Sequence, residues 1–339
     1  MNRVSLHPTR CAICGTDGQA AEIYPANFDF ADFNPEIFSA RRLPDRIHYR
    51  MVKCSVCGLV RSDPVADAAT LGDLYRQSTF DYGTEVDNLR RTYGRYLDRL
   101  GRFAVANGSR GRSPSRADMD GLSQKGGRAS SRAADLGAVL NLGSLLEIGC
   151  GNGFFLDEAR TRGYAEVRGV EPSCEAIAKA PSAVRDRIVC DIMRPGLFPG
   201  ASFDAVCLFQ VFDHLPDPAG VLAEAGRVLK PGGHLLILNH NIRALSARLL
   251  GERSPIVDLE HTFLFTPGTL SRLVRAHGLT VCETGRVWNR YTLQYVARLV
   301  PLPAALKRGL LACFARTRIG RLPVWIPLGN LYLVARKPA

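Results

Sequence analysis

From residue 143 onward, short apolar runs alternate with segments whose apolar positions recur every three to four residues. Runs of the first kind predict strands at 144–148, 166–170, 187–190, 203–209, 233–239, 280–288 and 330–336. The 3.6-residue spacing predicts helices near 153–162, 173–180, 218–229 and 266–277. Strand and helix in alternation imply an α/β fold, a mainly parallel sheet covered by helices on both faces. Ahead of it, Leu71, Leu74 and Tyr75 share one helical face, and Leu89, Tyr93, Tyr96, Leu97 and Leu100 share another. Residues 67–104 therefore read as a helical lid segment, with Phe80 and Tyr82 between its helices as aromatics that could pack on a ligand or simply in the core.

The stretch 105–142 breaks the pattern. Over 105–135 it is rich in Gly, Ser and Arg with almost no apolar side chains. Such a composition cannot bury enough surface to offset the entropy of ordering it, so it is expected to be a disordered basic insertion. No aromatic residues interleave with its arginines, which leaves RNA bases no stacking platform.

Where each strand ends, polar residues collect. The first ends in Glu147 and then Gly149-Cys150-Gly151-Asn152-Gly153, a strand–glycine turn–helix junction whose bare backbone can approach a ligand. A dinucleotide fingerprint starting at Gly149 would need its third glycine at 154, which is Phe154. The second strand ends at Glu171, the third at Asp191-Ile192 and the fourth at Gln210, followed by Val211-Phe212-Asp213-His214-Leu215-Pro216. Ligands in open α/β sheets bind at these carboxyl ends.

The E-x-G-x-G-x-G turn, together with these acids in this order, resembles the class I S-adenosylmethionine (SAM)-dependent methyltransferases over about 143–285 and 329–337. The resemblance implies a Rossmann-like sheet of seven strands with the last antiparallel. It also implies that Glu147, Gly149, Gly151 and Gly153 hold the methionine end of SAM. Glu171 would hold the ribose, Asp191 with Ile192 the adenine, and Gln210 would lie near the methyl group.

Cysteines add a second element. Cys11-Ala12-Ile13-Cys14-Gly15 and Cys54-Ser55-Val56-Cys57-Gly58 resemble the two knuckles of a zinc ribbon. Four thiolates make a closed tetrahedral site for structural zinc, organising a small domain over residues 1–66. The N-terminus lacks a signal-peptide core and no apolar run approaches the roughly 18–20 residues of a membrane span, so a cytoplasmic location is expected. The ten cysteines are accordingly expected as thiols or metal ligands, with disulfides disfavoured.

A zinc ribbon ahead of a methyltransferase domain is similar to the arrangement of sugar C-methyltransferases. In those enzymes a Glu-His pair after the fifth strand serves the chemistry. Glu260-His261 matches it, while Asp258 stands where those enzymes tend to carry tyrosine. His261, oriented by Glu260, is the first candidate for a base; His214 and then His240 follow. Histidine suits that role because its proton is exchanged near neutral pH.

Charge completes the picture. The chain of 339 residues carries a net charge of +12. From Arg286 to Ala339 there are ten Lys or Arg and no Asp or Glu. Within this block lies a basic, apolar insertion at 290–328, including a candidate amphipathic helix at 304–317. It could cap the acceptor site, touch a membrane surface through 299–328, or form a dimer contact. The expected activity is methyl transfer to a small molecule or glycan precursor, and the basic block suits an anionic one. The rivals are a zinc-ribbon binding protein with a catalytically silent SAM fold and a nucleic-acid methyltransferase; the latter lacks its N/D-P-P-Y/F motif after the fourth strand.

Overall fold

In the computed structural model, which describes residues 4–29, 46–78, 83–108, 142–300 and 302–339, strands and helices follow the predicted alternation. The strands before the alternating region are β1 (Leu6–His7), β2 (Ala20–Tyr24), β3 (Met51–Cys54), β4 (Val60–Ser62) and β5 (Val65–Ala66). Helices Ala68–Gln77 and Val86–Gly108 come next. Then come β6 (Ser144–Ile148), β7 (Glu166–Glu171), β8 (Ile188–Cys190), β9 (Phe203–Phe209), β10 (Leu229–His240) and β11 (Phe263–Leu264). The last are β12 (Thr280–Arg286), β13 (Asn289–Thr292), β14 (Pro323–Ile326) and β15 (Asn330–Arg336).

Seven of these form one sheet in the order β12-β15-β10-β9-β6-β7-β8. Neighbours from β8 to β10 run parallel, and β15 runs antiparallel between β10 and β12. This is the Rossmann-like methyltransferase sheet that the motif order implied. All five residues of β6 are buried, as befits a strand covered on both faces. The order reverses beside β6, which opens a crevice at the carboxyl ends of β6 and β9.

Helix starts are set locally. Asp217 caps Pro218–Val228 by accepting from the Gly220 N–H, and Pro218 at the first position has no N–H to leave unpaired. Thr266 and Thr269 form a reciprocal cap on Pro267–Ala276. Leu270, Leu273 and Val274 of that helix are fully buried. Each such side chain contributes about 1.5–3 kcal/mol of transfer free energy.

The cysteine-rich segment does not stand apart. Its sheet has the order β11-β4-β3-β2, so one of its four strands comes from residues 263–264 of the larger half. Cys11, Cys54, Cys57 and Leu59 share a core with Phe263, Phe265, Leu270 and Leu273. A boundary at residue 66 in the chain is therefore crossed by both a sheet and a core.

One expectation about the cysteines is overturned. Cys174 and Cys190 are joined in a disulfide. Cys174 opens the helix after β7 and Cys190 ends β8, the strand paired with β7. Spacing along the chain hides this proximity; strand pairing brings their Cα atoms to 5.8 Å, within disulfide reach. The other eight cysteines are free.

Helix Val86–Gly108 packs Leu89, Tyr93, Tyr96, Leu97 and Leu100 into the core beside Phe154, Phe155 and Phe209. Tyr93 stacks on Phe209 with ring centroids 4.3 Å apart. Phe80, Tyr82 and nearly all of the 105–142 stretch lie outside the described residues.

Candidate functional site

The chain leaves β6 through Gly149, Gly151 and Gly153, whose φ angles are +72°, +54° and +67°. These are left-handed values that side chains resist. A Cβ on Gly149 would also lie 2.5 Å from the Val211 side chain, and one on Gly153 2.9 Å from Ile188. Gly153 then caps helix Phe154–Thr161.

Glu171 ties this turn to the next strand. Its carboxylate accepts from the Gly151 N–H at 2.8 Å and the Ser173 N–H at 2.9 Å. Burial raises its pKa in spite of both bonds. Each oxygen has a further lone pair for a ligand hydroxyl. Burial, and then the charge of Glu171, pushes Glu147 well above the usual carboxylate range. Two polar atoms here are buried without a hydrogen-bond partner: Glu147 Oε2 and Gln210 Oε1. Gln210 also takes a φ of +56°, costly for a residue with a side chain. Asp191 accepts from the Ile192 N–H and from Arg194.

Gly149, Glu171, Asp191, Ile192 and Gln210 line one cavity of about 690 Å³. Glu147, Gly151 and Gly153 stand outside its lining; Gly151 acts on it through Glu171. Tyr75 and Tyr93 cover it from the two N-terminal helices.

The same cavity reaches His214, His240, Glu260 and His261. Their centre is Asp213, a fully buried carboxylate. His240 donates from Nδ1 to Asp213 Oδ2 at 2.7 Å. With its amide nitrogen turned toward the carboxylate, Asn239 donates at 2.6 and 2.9 Å. His214 Nε2 lies 3.7 Å and His261 Nε2 3.8 Å from the two carboxylate oxygens. Burial alone would raise the Asp213 pKa, but His240 and then His261 hold it well below the usual range.

The sequence singled out Glu260 as the acid orienting His261. The hydrogen bond is instead to Asp258, whose Oδ1 lies 2.6 Å from His261 Nδ1. Asp258 also accepts from the backbone N–H groups of Glu260 and His261, a tight turn that aims its carboxylate at the ring three residues on. Against burial, Asp258 raises His261 to about 9. Burial and the neighbouring His261 push His214 down to about 4. Tyr75 Oη lies 3.0 Å from His214 Nδ1.

The cysteine cluster lies behind this end. Sγ–Sγ distances are 3.2 Å for Cys11–Cys57 and 3.6 Å for Cys14–Cys54, and all four sulfurs lie within 4.8 Å of one another. In each knuckle the glycine takes a positive φ and its N–H bonds the first cysteine's carbonyl. That geometry suits four thiolates on one ion. The cluster also buttresses the acceptor end: β4 pairs with β11, the Ser62 N–H donates to Thr262 O, and the Thr262 N–H donates to Asp213 O.

The basic insertion borders the cavity through Tyr291, Tyr295, Val296, Leu299 and Val300. Its helix Ala304–Thr317 buries no residue, and Leu306 is 59% exposed. Among the described residues no helix is long and apolar enough to cross a membrane.

The sequence alone does not single out four residues of this arrangement: Tyr75, Asp213, Asn239 and Asp258. Asp213 stands next to His214 in a run that was noted for its position only. Asp258 stands where the similar enzymes tend to carry tyrosine, and its pairing with His261 depends on a turn that sequence spacing does not reveal. Tyr75 shares a helix face with Leu71 and Leu74, a pattern that signals packing.

The family described as "Methyltransferase domain" matches residues 89–284. A protein of Thiobacillus denitrificans named ubiquinone biosynthesis O-methyltransferase is 30% identical over 179 residues, which cover 48% of this chain and 76% of that one. One of the same name from Paracidovorax citrulli is 28% identical over 166 residues, covering 44% and 69%. Among solved structures, geranyl diphosphate C-methyltransferase from Streptomyces coelicolor A3(2) is 15% identical, with 61% of this chain and 77% of that chain covered and a TM-score of 0.40.

Proposed function

This chain belongs to the SAM-dependent methyltransferase family, and from that premise we propose that it methylates a hydroxyl of a small molecule or glycan precursor at the histidine end of the cavity. The observation that carries this reading is the shared cavity: strand-end acids at one end, the Asp213 cluster at the other, and Gln210 between them. The name of the relatives, O-methyltransferase, favours oxygen as the accepting atom.

The residues fit the cofactor. Gln210 Oε1, on the cavity wall, is a buried polar atom in want of a partner, which a polar ligand group would satisfy. Glu147 with Gly149, Gly151 and Gly153 would hold the methionine end, Glu171 the ribose, and Asp191 with Ile192 the adenine. SAM supplies a methyl group activated on a sulfonium. The chain's own contribution is alignment of acceptor and donor, which by itself accounts for much of such an acceleration. Tyr75 and Tyr93 cover the cavity against water. His261, Glu260 and His214 face the acceptor, where its hydroxyl must lose a proton.

Cys11, Cys14, Cys54 and Cys57 would hold structural zinc, fixing β4 and through it the 258–262 turn. Chelation at high affinity should then lower the unfolding midpoint. Peripheral contact with an anionic membrane through 299–328 is a second part of the reading, favoured by Leu306, Ile319, Leu322 and Trp325, all exposed beside Lys307, Arg308, Arg316 and Arg321. Sedimentation with vesicles of anionic lipid tests it.

The main test is calorimetry with SAM followed by transfer of labelled methyl to phenols, sugar nucleotides and lipid-linked sugars. No SAM binding would overturn the enzymatic reading. Binding with no transfer to any of these would favour the silent SAM-fold alternative.

A further inference from the structure

We propose that Asp213, His214 and His261 form a site for a divalent transition-metal ion, open toward the acceptor part of the cavity. Each histidine commits Nδ1 to an outer partner: Asp258 for His261 at 2.6 Å and Tyr75 for His214 at 3.0 Å. With Nδ1 engaged, Nε2 is the nitrogen left for an ion, which displaces its proton on binding, and the carboxylate or hydroxyl behind the ring fixes its orientation, as around protein-bound metals. Both Nε2 atoms converge on Asp213, at 3.7 and 3.8 Å from its oxygens. His261 Nε2 is buried and has no hydrogen-bond partner.

One atom from each of the three residues lies within 4.8 Å of the others. Bonds of about 2.0–2.2 Å to a common ion place cis ligands roughly 3 Å apart, so closure asks only for small rotations. The carboxylate is held for the task by Asn239 and His240, and Oδ1, which accepts from Asn239 alone, keeps a lone pair for the ion. The surroundings favour a cation. Asp213, Asp258 and Glu260 meet here, while the one Arg or Lys among the described lining residues, Arg194, pairs with Asp191 at the adenine end.

Two imidazoles and a carboxylate suit Zn²⁺, Fe²⁺, Co²⁺ or Mn²⁺, in contrast to the all-sulfur set of the ribbon. Open coordination positions facing the cavity would take an acceptor hydroxyl. The O–H bond then breaks more easily, a metal–oxygen bond forms, and the proton leaves to solvent. This task rests on the methyl-transfer reading; the metal site itself does not.

The test uses the full chain, stripped with chelator and reloaded with Co²⁺ while absorption is followed. The expected result is two ions per chain. One gives thiolate-to-cobalt charge-transfer bands; the other gives only the weak d–d bands of a nitrogen–oxygen set. His261→Gln and Asp213→Asn should each abolish the second spectrum and leave the thiolate bands, which report that the ribbon is folded. Tyr75→Phe should keep both spectra and weaken the second ion about 10- to 100-fold, the usual cost of losing an outer partner. Thiolate bands alone in the wild type would overturn the site, as would weak d–d bands that persist in both His261→Gln and Asp213→Asn. Should those variants unfold, the wild-type spectrum and Tyr75→Phe decide. SAM calorimetry on the same samples separates the two readings: its failure with the second ion retained refutes methyl transfer and leaves the metal site.

Discussion

Glu171→Gln probes the cofactor end most directly. The substitution keeps the side chain's size but turns one of two acceptor oxygens into an NH₂ donor. Both oxygens are used, by the N–H groups of Gly151 at 2.8 Å and Ser173 at 2.9 Å, so one N–H must face a donor. Glu171 is only 6% exposed, which leaves water little room to compensate. An unpaired buried N–H costs about 1–3 kcal/mol, and the unfolding midpoint should fall by several degrees. The cofactor loses more specifically. Ribose hydroxyls donating to a carboxylate make charge-assisted bonds; replacing that carboxylate by an amide should forfeit about 2–3 kcal/mol, or ~30- to 150-fold in Kd. Calorimetry with SAM at a temperature where circular dichroism shows the variant folded would measure this. A Kd within twofold of wild type, with the midpoint lowered, would refute the ribose role and leave Glu171 as a brace for the glycine turn.

Other predictions follow from the same geometry. Gly149→Ala forces a Cβ to 2.5 Å from Val211 at a φ of +72°, so the turn must shift; SAM affinity should fall at least tenfold in calorimetry, with a stability loss of about 1–3 kcal/mol in denaturant titration. Asp258→Ala removes the partner of His261 Nδ1, and turnover should drop more than tenfold while the Kd for SAM stays within about twofold, since Asp258 and Glu171 belong to opposite ends of the cavity. Thiol titration in denaturant with chelator should count eight free thiols before reduction and ten after, because Cys174 and Cys190 are bonded. A count of ten before reduction would show that bond absent from the protein in solution.

The strands, most helix positions and the glycine turn were legible in the chain because their causes are local. Apolar periodicity set the strands of the large sheet, and the helix Ala304–Thr317 formed over the expected residues. The three glycines adopt the left-handed values that made their spacing informative. The two Cys-x-x-Cys-Gly knuckles likewise carry their turn chemistry within five residues, and the fold needed only to bring them face to face.

What only the tertiary structure decided is whatever depends on pairing across distance. Asp258 rather than Glu260 holds His261, because a turn aims one carboxylate at the ring, and adjacency in sequence does not. Tyr75, Asp213, His214, Asn239, His240 and His261 come from four separate segments and meet only when the helix Ala68–Gln77 closes over the ends of β9 and β10. The Cys174–Cys190 bond follows from β7 lying beside β8, and the fourth strand of the small N-terminal sheet comes from residues 263–264. Sequence carries local backbone preference and periodicity well. It carries poorly the choice among several acids and histidines of similar spacing, since that choice is made by long-range contacts whose partners no single segment contains.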